Sequence, residues 1–504
     1  MRLCNSKTMA DADSRAIHVL GVPSCLLMTN AARHLADAAL ELLHENKRAL
    51  IFCGSGNNGG DGIATAVRLL SQGISLRCFL VGKREKMTAD TAEMERRLIE
   101  VGGVLEDFSP KNAEIPKLAM DAGVIIDAIF GIGLSREIKG DALAAVKIIN
   151  GAKAPVISAD IPSGVEADTG RILGEAVNAD LTLTFSMAKP GHFAEPGCCC
   201  RGQLRVFDIG LPKEILDEIQ TDVFSIELGE LFLPKRPKIS HKGDYGRLLI
   251  IGGCTGFTGA PALCARAAEK AGAGLVSLGV PREIYPIEAS RLWSSMPFPL
   301  EDDKGKLSLS ALPQILEKLS QSDACVIGCG LSRGAELTEL VRSLLHTSAK
   351  PLVIDADGLF ALGNDPETIK SAQTPPILTP HEGEFLRLGG VLTGDRISDA
   401  RSFAKSRNCV LVLKGHRTIC AFPEGEVYII DAGNPGMAKG GSGDVLAGLI
   451  GGLLVQLPQK HAVLSACLIH GAAGDSAAKR LGEYSLLPED IIEEVAQITK
   501  IMTR

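Results

Sequence analysis

The segment Asn434-Pro435-Gly436-Met437-Ala438-Lys439-Gly440-Gly441-Ser442-Gly443-Asp444 runs directly into Val445-Leu446-Ala447-Gly448-Leu449-Ile450. Three glycines in four positions, then an acid, then an apolar run describe a loop that opens a helix and can hold a phosphate. Glycine lets the backbone approach an anion. The N–H groups of a first helical turn then point at it, with the helix dipole behind them. A carboxylate beside bound phosphate opposes binding, so Asp444 suits proton transfer next to a phosphoryl group. The plainer reading is a glycine-rich turn in which Asp444 caps the helix.

Upstream of this loop the chain alternates apolar runs with helical periodicity, the rhythm of an α/β fold. Strands are expected at 247–251, 275–278, 324–327, 352–354, 377–378, 410–413, 418–421 and 427–430. Several end in polar residues: Gly328-Cys329-Gly330, Asp355-Ala356-Asp357, Thr379-Pro380-His381-Glu382-Gly383-Glu384 and Lys414-Gly415-His416. His470 lies in an apolar helical run and reads as packed, not catalytic.

The first half has the same style. Two helices are expected within 8–46. The strand at 49–53 enters Gly54-Ser55-Gly56-Asn57-Asn58-Gly59-Gly60-Asp61-Gly62, and a helix follows through Ile63, Ala66, Val67 and Leu70. Strand, glycine-rich loop and helix make a ligand-binding unit, although paired asparagines replace the usual dinucleotide spacing. An asparagine-rich turn is the bland alternative. Further strands are expected at 76–81, 124–127, 155–160, 181–185 and 204–207. Asn57, Asp127 and Asp160 thus all stand at strand ends, which converge on one crevice in a parallel sheet. Prolines 212, 234 and 237 punctuate a less patterned stretch, which divides the chain into domains 1–222 and 223–504.

A chain of 504 residues is too long for one ordinary core, and 45% hydrophobic with 22% charged residues is a globular composition. The net charge of −7 gives no electrostatic reason to bind nucleic acid or an anionic membrane. The longest apolar run, 445–455, is too short to span a bilayer. Fourteen cysteines scattered in apolar runs, with no secretory leader, point to a reduced, cytoplasmic setting. A homo-oligomer is the expected assembly.

Taken together, these motifs resemble the bifunctional NAD(P)H-hydrate repair enzymes, in which an NAD(P)H-hydrate epimerase is fused to an ADP/ATP-dependent NAD(P)H-hydrate dehydratase. The resemblance rests on Gly56-Asn57-Asn58-Gly59-Gly60-Asp61-Gly62, Asp127 to Gly133, Asp160-Ile161-Pro162-Ser163-Gly164 and Lys189-Pro190-Gly191-His192. In the second half it rests on His241-Lys242-Gly243-Asp244, Thr258-Gly259-Ala260-Pro261, Asp355-Ala356-Asp357, Leu378-Thr379-Pro380-His381, Leu413-Lys414-Gly415 and the opening loop.

The resemblance implies a Rossmann-like epimerase domain followed by a ribokinase-like domain. It implies epimerase substrate contacts at Asn57, Asn58, Gly59, Gly60 and Asp61, at Gly131, Ile132, Gly133, Leu134, Ser135, Arg136 and Glu137, and at Asp160. A potassium ion is implied at Asn58, Asp127 and Ser163, whose oxygens suit a hard cation. Asp160 is the candidate acid/base for inversion at C6 of the hydrated nicotinamide. In the dehydratase half, substrate contacts are implied at Ala260, Gly330, His381 and Asp444. Nucleotide contacts are implied at Lys414, Gly415, His416, Arg417 and Thr418, and at Asn434, Pro435, Gly436, Met437, Ala438, Lys439, Gly440, Gly441, Ser442 and Gly443. The expected cofactors are K+ for the epimerase and Mg2+ with ADP or ATP for the dehydratase. Asp444 would deprotonate the hydroxyl for phosphorylation, while the Gly441 to Gly443 amides hold the transferred group.

Five positions depart from the family pattern. Ile132, Lys439 and Ser442 stand where threonine is common, and Cys329 and Glu382 where proline is common. Lys439 offers either an added phosphate contact or a changed nucleotide preference. The alternatives are a vitamin or sugar kinase fused to a Rossmann-like domain, and a scaffold without activity. The Asn57 to Asp61 loop and the His381 motif oppose the first, and Asp127 with Asp160 opposes the second.

Overall fold

The apolar run at 49–53 becomes the central strand of a parallel sheet. In the computed structural model, which describes residues 1–43, 46–363 and 365–503, the chain forms two units. One is Arg2–Val223 and the other is Phe224–Arg504 with Met1.

The first unit contains strands β1 (Arg48–Cys53), β2 (Ser75–Leu80), β3 (Leu105–Asp107), β4 (Val124–Ala128), β5 (Val156–Ala159), β6 (Leu181–Phe185) and β7 (Gln203–Phe207). They pair in the order β3-β2-β1-β4-β5-β6-β7, parallel at every step. Chain direction across the sheet reverses between β1 and β4, and in a doubly wound sheet the ligand crevice opens at that switch. Side chains alternate across β1 as the strand period demands. Ala49, Ile51 and Cys53 enter the core beneath the helices Ser24–Leu42 and Asn57–Ser71. Leu50 and Phe52 enter the opposite core with Ile115, Val146 and Ile149.

The second unit continues with β8 (Val223–Ile226), β9 (Arg247–Ile251), β10 (Leu275–Pro281), β11 (Met296–Leu300), a two-stranded hairpin of β12 (Asp302–Asp303) and β13 (Lys306–Leu307), then β14 (Ala324–Ile327), β15 (Leu352–Ile354), β16 (Ile377–Leu378), β17 (Val410–Leu413), β18 (Ile419–Ala421) and β19 (Val427–Ile430). Ten of these form one sheet in the order β11-β10-β9-β14-β15-β16-β17-β18-β19-β8. It is parallel from β11 to β17 and turns antiparallel at β18 and β19. The apolar run after the opening loop is the buried helix Ser442–Leu454. It packs on the helix Gly259–Lys270 so closely that a Cβ on Gly448 would stand 2.2 Å from the Cys264 carbonyl oxygen. Among the described residues no helix is long and apolar enough to cross a membrane.

Five strands are not legible in the sequence: β3, β8, β11 and the two-residue strands β12 and β13. β3 is three residues at a sheet edge, two of them acidic. β11 carries Pro297 and Pro299, which argue against a strand except at an edge, and an edge is where it lies. β8 falls in the proline-punctuated stretch, which contains a helix at Lys213–Glu218 as well.

Candidate active sites

In the first unit, the ends of β1, β4 and β5 surround a cavity of about 660 Å3. Its walls include Asn57, Asn58, Asp61, Gly131, Ile132, Gly133, Leu134 and Asp160, together with Asp13 and Lys189. Ser135, Arg136 and Glu137 continue the loop beyond Leu134 but are absent from that lining. The Asn57 side-chain oxygen accepts from the Thr88 hydroxyl at 2.8 Å.

Asp127 and Ser163 form one closed group. Asp127 is fully buried. Its Oδ2 accepts from the Ser158 hydroxyl at 2.8 Å and the Ser163 N–H at 2.9 Å, and its Oδ1 accepts from the Ser163 hydroxyl at 2.6 Å. Burial raises its carboxyl above the usual range, and these hydrogen bonds offset that only in part. Among the described residues no lysine, arginine or histidine pairs with Asp127, so hydrogen bonds alone hold its charge. The neighbouring Asn58 Nδ2 is buried without a partner.

Asp160 takes a left-handed backbone conformation (φ 64°) at the end of β5. The ammonium of Lys189, 1% exposed, donates to Asp160 Oδ1. Thr184 donates to the same oxygen at 2.9 Å. Burial alone would raise this carboxyl, but Lys189 and these hydrogen bonds carry it below its usual range. His192 completes the brace. Its Nδ1 accepts from the Lys189 N–H at 3.0 Å, which leaves Nε2–H to donate to the Asp160 carbonyl at 2.8 Å. Burial, then Lys189, lowers His192 to about 3, so it stays neutral.

In the second unit, the helix Ser442–Leu454 starts from Gly441 (φ 100°), which makes Asp444 a first-turn residue and not the cap. First-turn N–H groups have no acceptor within their own helix. Asp444 lies against Cys329 and Asp355, with ligand atoms of all three within 4.8 Å of one another. Burial and then Asp355 push Asp444 up to about 6, against a hydrogen bond from Cys329 and the charge of Lys414. The Cys329 thiol is itself raised by its contact with Cys264 and by burial, so it serves as a donor. A cysteine where proline is common therefore adds a contact to the proposed base.

Lys414 donates to Asp355 Oδ1 at 2.9 Å, and Thr379 donates to the same oxygen at 2.7 Å. A Cβ on Gly443 would stand 3.3 Å from Lys414 Nζ, which brings lysine and loop together. Gly330 and Ala260 are also neighbours, since a Cβ on Gly330 would lie 3.1 Å from that of Ala260. His381 caps the helix Glu382–Arg387 through Nδ1, which accepts from the Gly383 and Glu384 N–H groups. Its Nε2–H is left on the exposed side, 3.5 Å from Glu384.

Other loop residues shape the backbone. Asn434 donates to Asp475 at 2.8 Å and accepts from the Gly436 N–H at 3.0 Å. Arg417 pairs with Asp431 at 3.1 Å. Lys439 donates to the Tyr484 carbonyl at 2.7 Å. His470, half-buried and lowered to about 4 by desolvation, faces the Ser442 carbonyl at 3.0 Å and braces the loop. Asp13 and the bracing roles of Lys189, His192 and Asp475 escape sequence reasoning. Asp13 has no signal beyond a charge on an amphipathic helix, whereas Lys189 and His192 are separated by the i, i+3 spacing of a tight turn.

Fold and sites define a two-part α/β enzyme: a doubly wound unit with a carboxylate-lined cavity, and a larger unit whose glycine-rich helix start faces a lysine and an acid. Residues 24–191 match the family described as YjeF-related protein N-terminus, and 248–497 match NAD(P)H-hydrate dehydratase. The chain is 39% identical to the bifunctional NAD(P)H-hydrate repair enzyme Nnr of Moorella thermoacetica, over 98% of this chain and 96% of that one. It is 33% identical to the protein of the same name from Escherichia coli, over 96% and 92%. An ADP/ATP-dependent NAD(P)H-hydrate dehydratase from Bacillus subtilis, crystallised with ATP/Mg2+, is 30% identical and covers 53% of this chain and 94% of its own, with a TM-score of 0.46. The chain belongs to the bifunctional NAD(P)H-hydrate repair enzyme family, whose members restore hydrated nicotinamide nucleotides.

Proposed function

We propose that the unit Arg2–Val223 interconverts the R and S hydrates of NADH and NADPH, and that Phe224–Arg504 dehydrates the S form at the expense of ADP or ATP. The observation that carries this reading is the placement of Asp444. It stands in the first turn of a glycine-started helix beside Lys414, raised to about 6, so that it is largely ionised at neutral pH yet basic enough to accept a proton.

In the dehydratase, Asp444 takes the proton of the C6 hydroxyl as its oxygen attacks the terminal phosphorus of the nucleotide. The phosphate ester then leaves from C6 as phosphate, and loss of the neighbouring ring proton restores the double bond. The first-turn N–H groups beside Gly441, Ser442 and Gly443 hold the phosphoryl oxygens, and Lys414, fixed by Asp355, adds positive charge. Mg2+ would travel with the nucleotide phosphates and offset their charge, with Asp355 and Asp444 the nearest carboxylates. Ala260, Gly330 and His381 would contact the hydrate.

In the epimerase, Asn57, Asp61, the Gly131 to Glu137 loop and Asp160 would hold the hydrate. Asn58, Asp127 and Ser163 would hold potassium. The buried Asp127 carboxyl, which no cationic side chain among the described residues pairs, supports this, because a monovalent cation would supply a countercharge. Fourteen free cysteines accord with a reduced, cytoplasmic setting, and a homo-oligomer is the assembly to test.

The test gives purified full chain the mixed NADH hydrates with ADP, with ATP, or with neither. Return of the reduced-nicotinamide absorbance with either nucleotide, and interconversion of epimers without one, is the expected result. A phosphorylated alcohol that accumulates without return of absorbance would establish a small-molecule kinase instead.

A further inference from the structure

The cavity of the first unit is lined by four carboxyl groups and one ammonium; one of the four, Asp90, accepts from the Ser24 hydroxyl at 2.9 Å, and the other three stand on separate elements. Asp13 comes from the helix Ser6–His18, Asp61 from the helix Asn57–Ser71, Asp160 from the end of β5, and Lys189 from the segment after β6. The ammonium is already committed. Its three donors reach Asp160 Oδ1, the Thr184 hydroxyl at 2.9 Å and the Phe185 carbonyl at 3.4 Å. It therefore neutralises Asp160 and leaves none of its donors for Asp61 or Asp13. Among the described residues the Asp61 carboxyl makes no side-chain hydrogen bond or ion pair, although it forms part of the cavity wall.

We propose that Asp61 is the proton donor of the epimerase pocket and that Asp160, held as a carboxylate by Lys189, is its partner base. The assignment rests on the epimerase reading of this unit. Asp61 gives its proton to the departing C6 hydroxyl. The C6–O bond breaks, water leaves, and the N1 lone pair forms the C6–N1 iminium. Water then adds to the other face, the C6–O bond re-forms, and the iminium electron pair returns to N1. Asp160 takes the surplus proton. The reverse direction exchanges the two roles, and cavity water with Asp13 returns the proton between turnovers. Two groups on different elements are what an inversion needs, because departure and return occur on opposite faces of one carbon.

The surroundings of Asp61 favour the protonated form. Burial, then the charges of Asp160 and Asp13, raise its carboxyl well above the usual range, and Lys189 opposes them only weakly. Cys53 of β1 also faces it and is itself raised, so it adds no negative charge. Asp13 is raised to about 6 by burial. Asp61 and Asp160 thus diverge in opposite directions, as acid/base pairs do.

The experiment follows epimerisation of purified (R)-NADH hydrate by the full chain, without nucleotide, from about pH 5 to about pH 9. In the wild-type protein the rate falls on the alkaline side as Asp61 loses its proton. Asp61→Asn lowers kcat roughly 10²–10⁴-fold and abolishes the alkaline limb, with the thermal transition of the first unit kept. Asp160→Asn lowers the rate at every pH in that range, because Asp160 stays ionised throughout it. An Asp61→Asn protein that keeps the wild-type kcat, or keeps the wild-type alkaline limb, overturns the proposal. So does an Asp61→Asn protein whose KM rises while kcat holds, since that marks a binding contact. If the wild-type protein does not epimerise at all, the functional reading of the unit fails instead.

Discussion

The two glycine-rich loops look alike in the sequence and work differently in the structure. In the first unit, four of the five glycines of the Gly54 to Gly62 loop are packing devices, and Gly56 has open space. A Cβ on Gly59 would stand 1.8 Å from the Gly54 carbonyl oxygen, so the helix sits directly on the strand end. In the second unit, Gly440 has open space, with nothing within 4 Å of a Cβ, and Gly443 looks toward Lys414 and Asp355. One loop uses glycine to bring backbone against backbone. The other uses it to leave backbone bare for a ligand. The acids divide only in part, since Asp61 stands on the helix its loop opens as Asp444 does. Asp444 stands on the helix its loop opens, whereas the first unit's ion-paired acid, Asp160, stands two strands away from its glycine loop, brought in by the sheet order.

The largest expected effect tests whether the two sites are separate. Asp444→Ala should reduce dehydration roughly 10²–10⁴-fold, the usual contribution of a positioned acid or base, and leave epimerisation intact. Asp160→Ala should do the reverse. Absorbance recovery with nucleotide and chromatographic separation of the epimers measure the two rates in one sample. If one substitution removes both rates in folded protein, the division of labour is wrong.

Next comes the contrast between the loops themselves. Gly59→Ala forces a methyl group into a carbonyl oxygen and should destabilise the first unit by about 1–3 kcal/mol, or more where the backbone cannot yield. Gly440→Ala meets no atom and should change stability by less than about 0.5 kcal/mol, while raising the KM for nucleotide. Denaturant titration of each variant checks this. A stable Gly59→Ala protein, or an unstable Gly440→Ala protein, would erase the distinction.

Much of this was legible before any coordinates. Strands at 247–251, 324–327 and 410–413 announce themselves as apolar runs that end in glycine or lysine. Buried parallel strands must be apolar throughout and must end where a loop can bind something. The Asn57, Asp127 and Asp160 positions follow from that rule, and Asp444 follows from the glycine-rich helix start. What was not legible depends on distance in the chain. The sequence cannot say that the ammonium beside Asp160 comes from Lys189, or that Asp13 crosses to the cavity from the first helix. Nor does it reveal that Asp475 ties Asn434 down. β11 was hidden by its prolines, and β8 by its position in a stretch that reads as a linker.

A smaller and more graded effect is pH. Asp444 is raised to about 6 by burial and by Asp355, and a base works only when ionised. Dehydration should therefore fall about tenfold per pH unit below roughly pH 6. Asp160 is lowered, so it keeps its charge through that interval and should not impose the same loss on epimerisation. The stability sign is opposite to that of an ordinary paired carboxylate. A raised folded-state value favours the fold when Asp444 is protonated, and that contribution is lost as pH rises through about 6. Asp444→Asn should thus be at least as stable as the wild-type protein at neutral pH while losing dehydration, which separates a catalytic from a structural defect.

The smallest effect concerns Lys439. Its ammonium holds the Tyr484 carbonyl at 2.7 Å, so in this conformation it braces the loop and is not held out toward a phosphate. A single hydrogen bond at a partly exposed site contributes about 1 kcal/mol or less. Lys439→Thr, which restores the residue common in the family, should therefore change the KM for ADP and ATP by no more than about fivefold and should change both alike. Steady-state dehydration with each nucleotide measures this. A loss confined to ATP would mean that the lysine leaves Tyr484 to meet the additional phosphate. The opening of the second loop would then depend on its occupant, where the packed loop of the first unit has no such freedom.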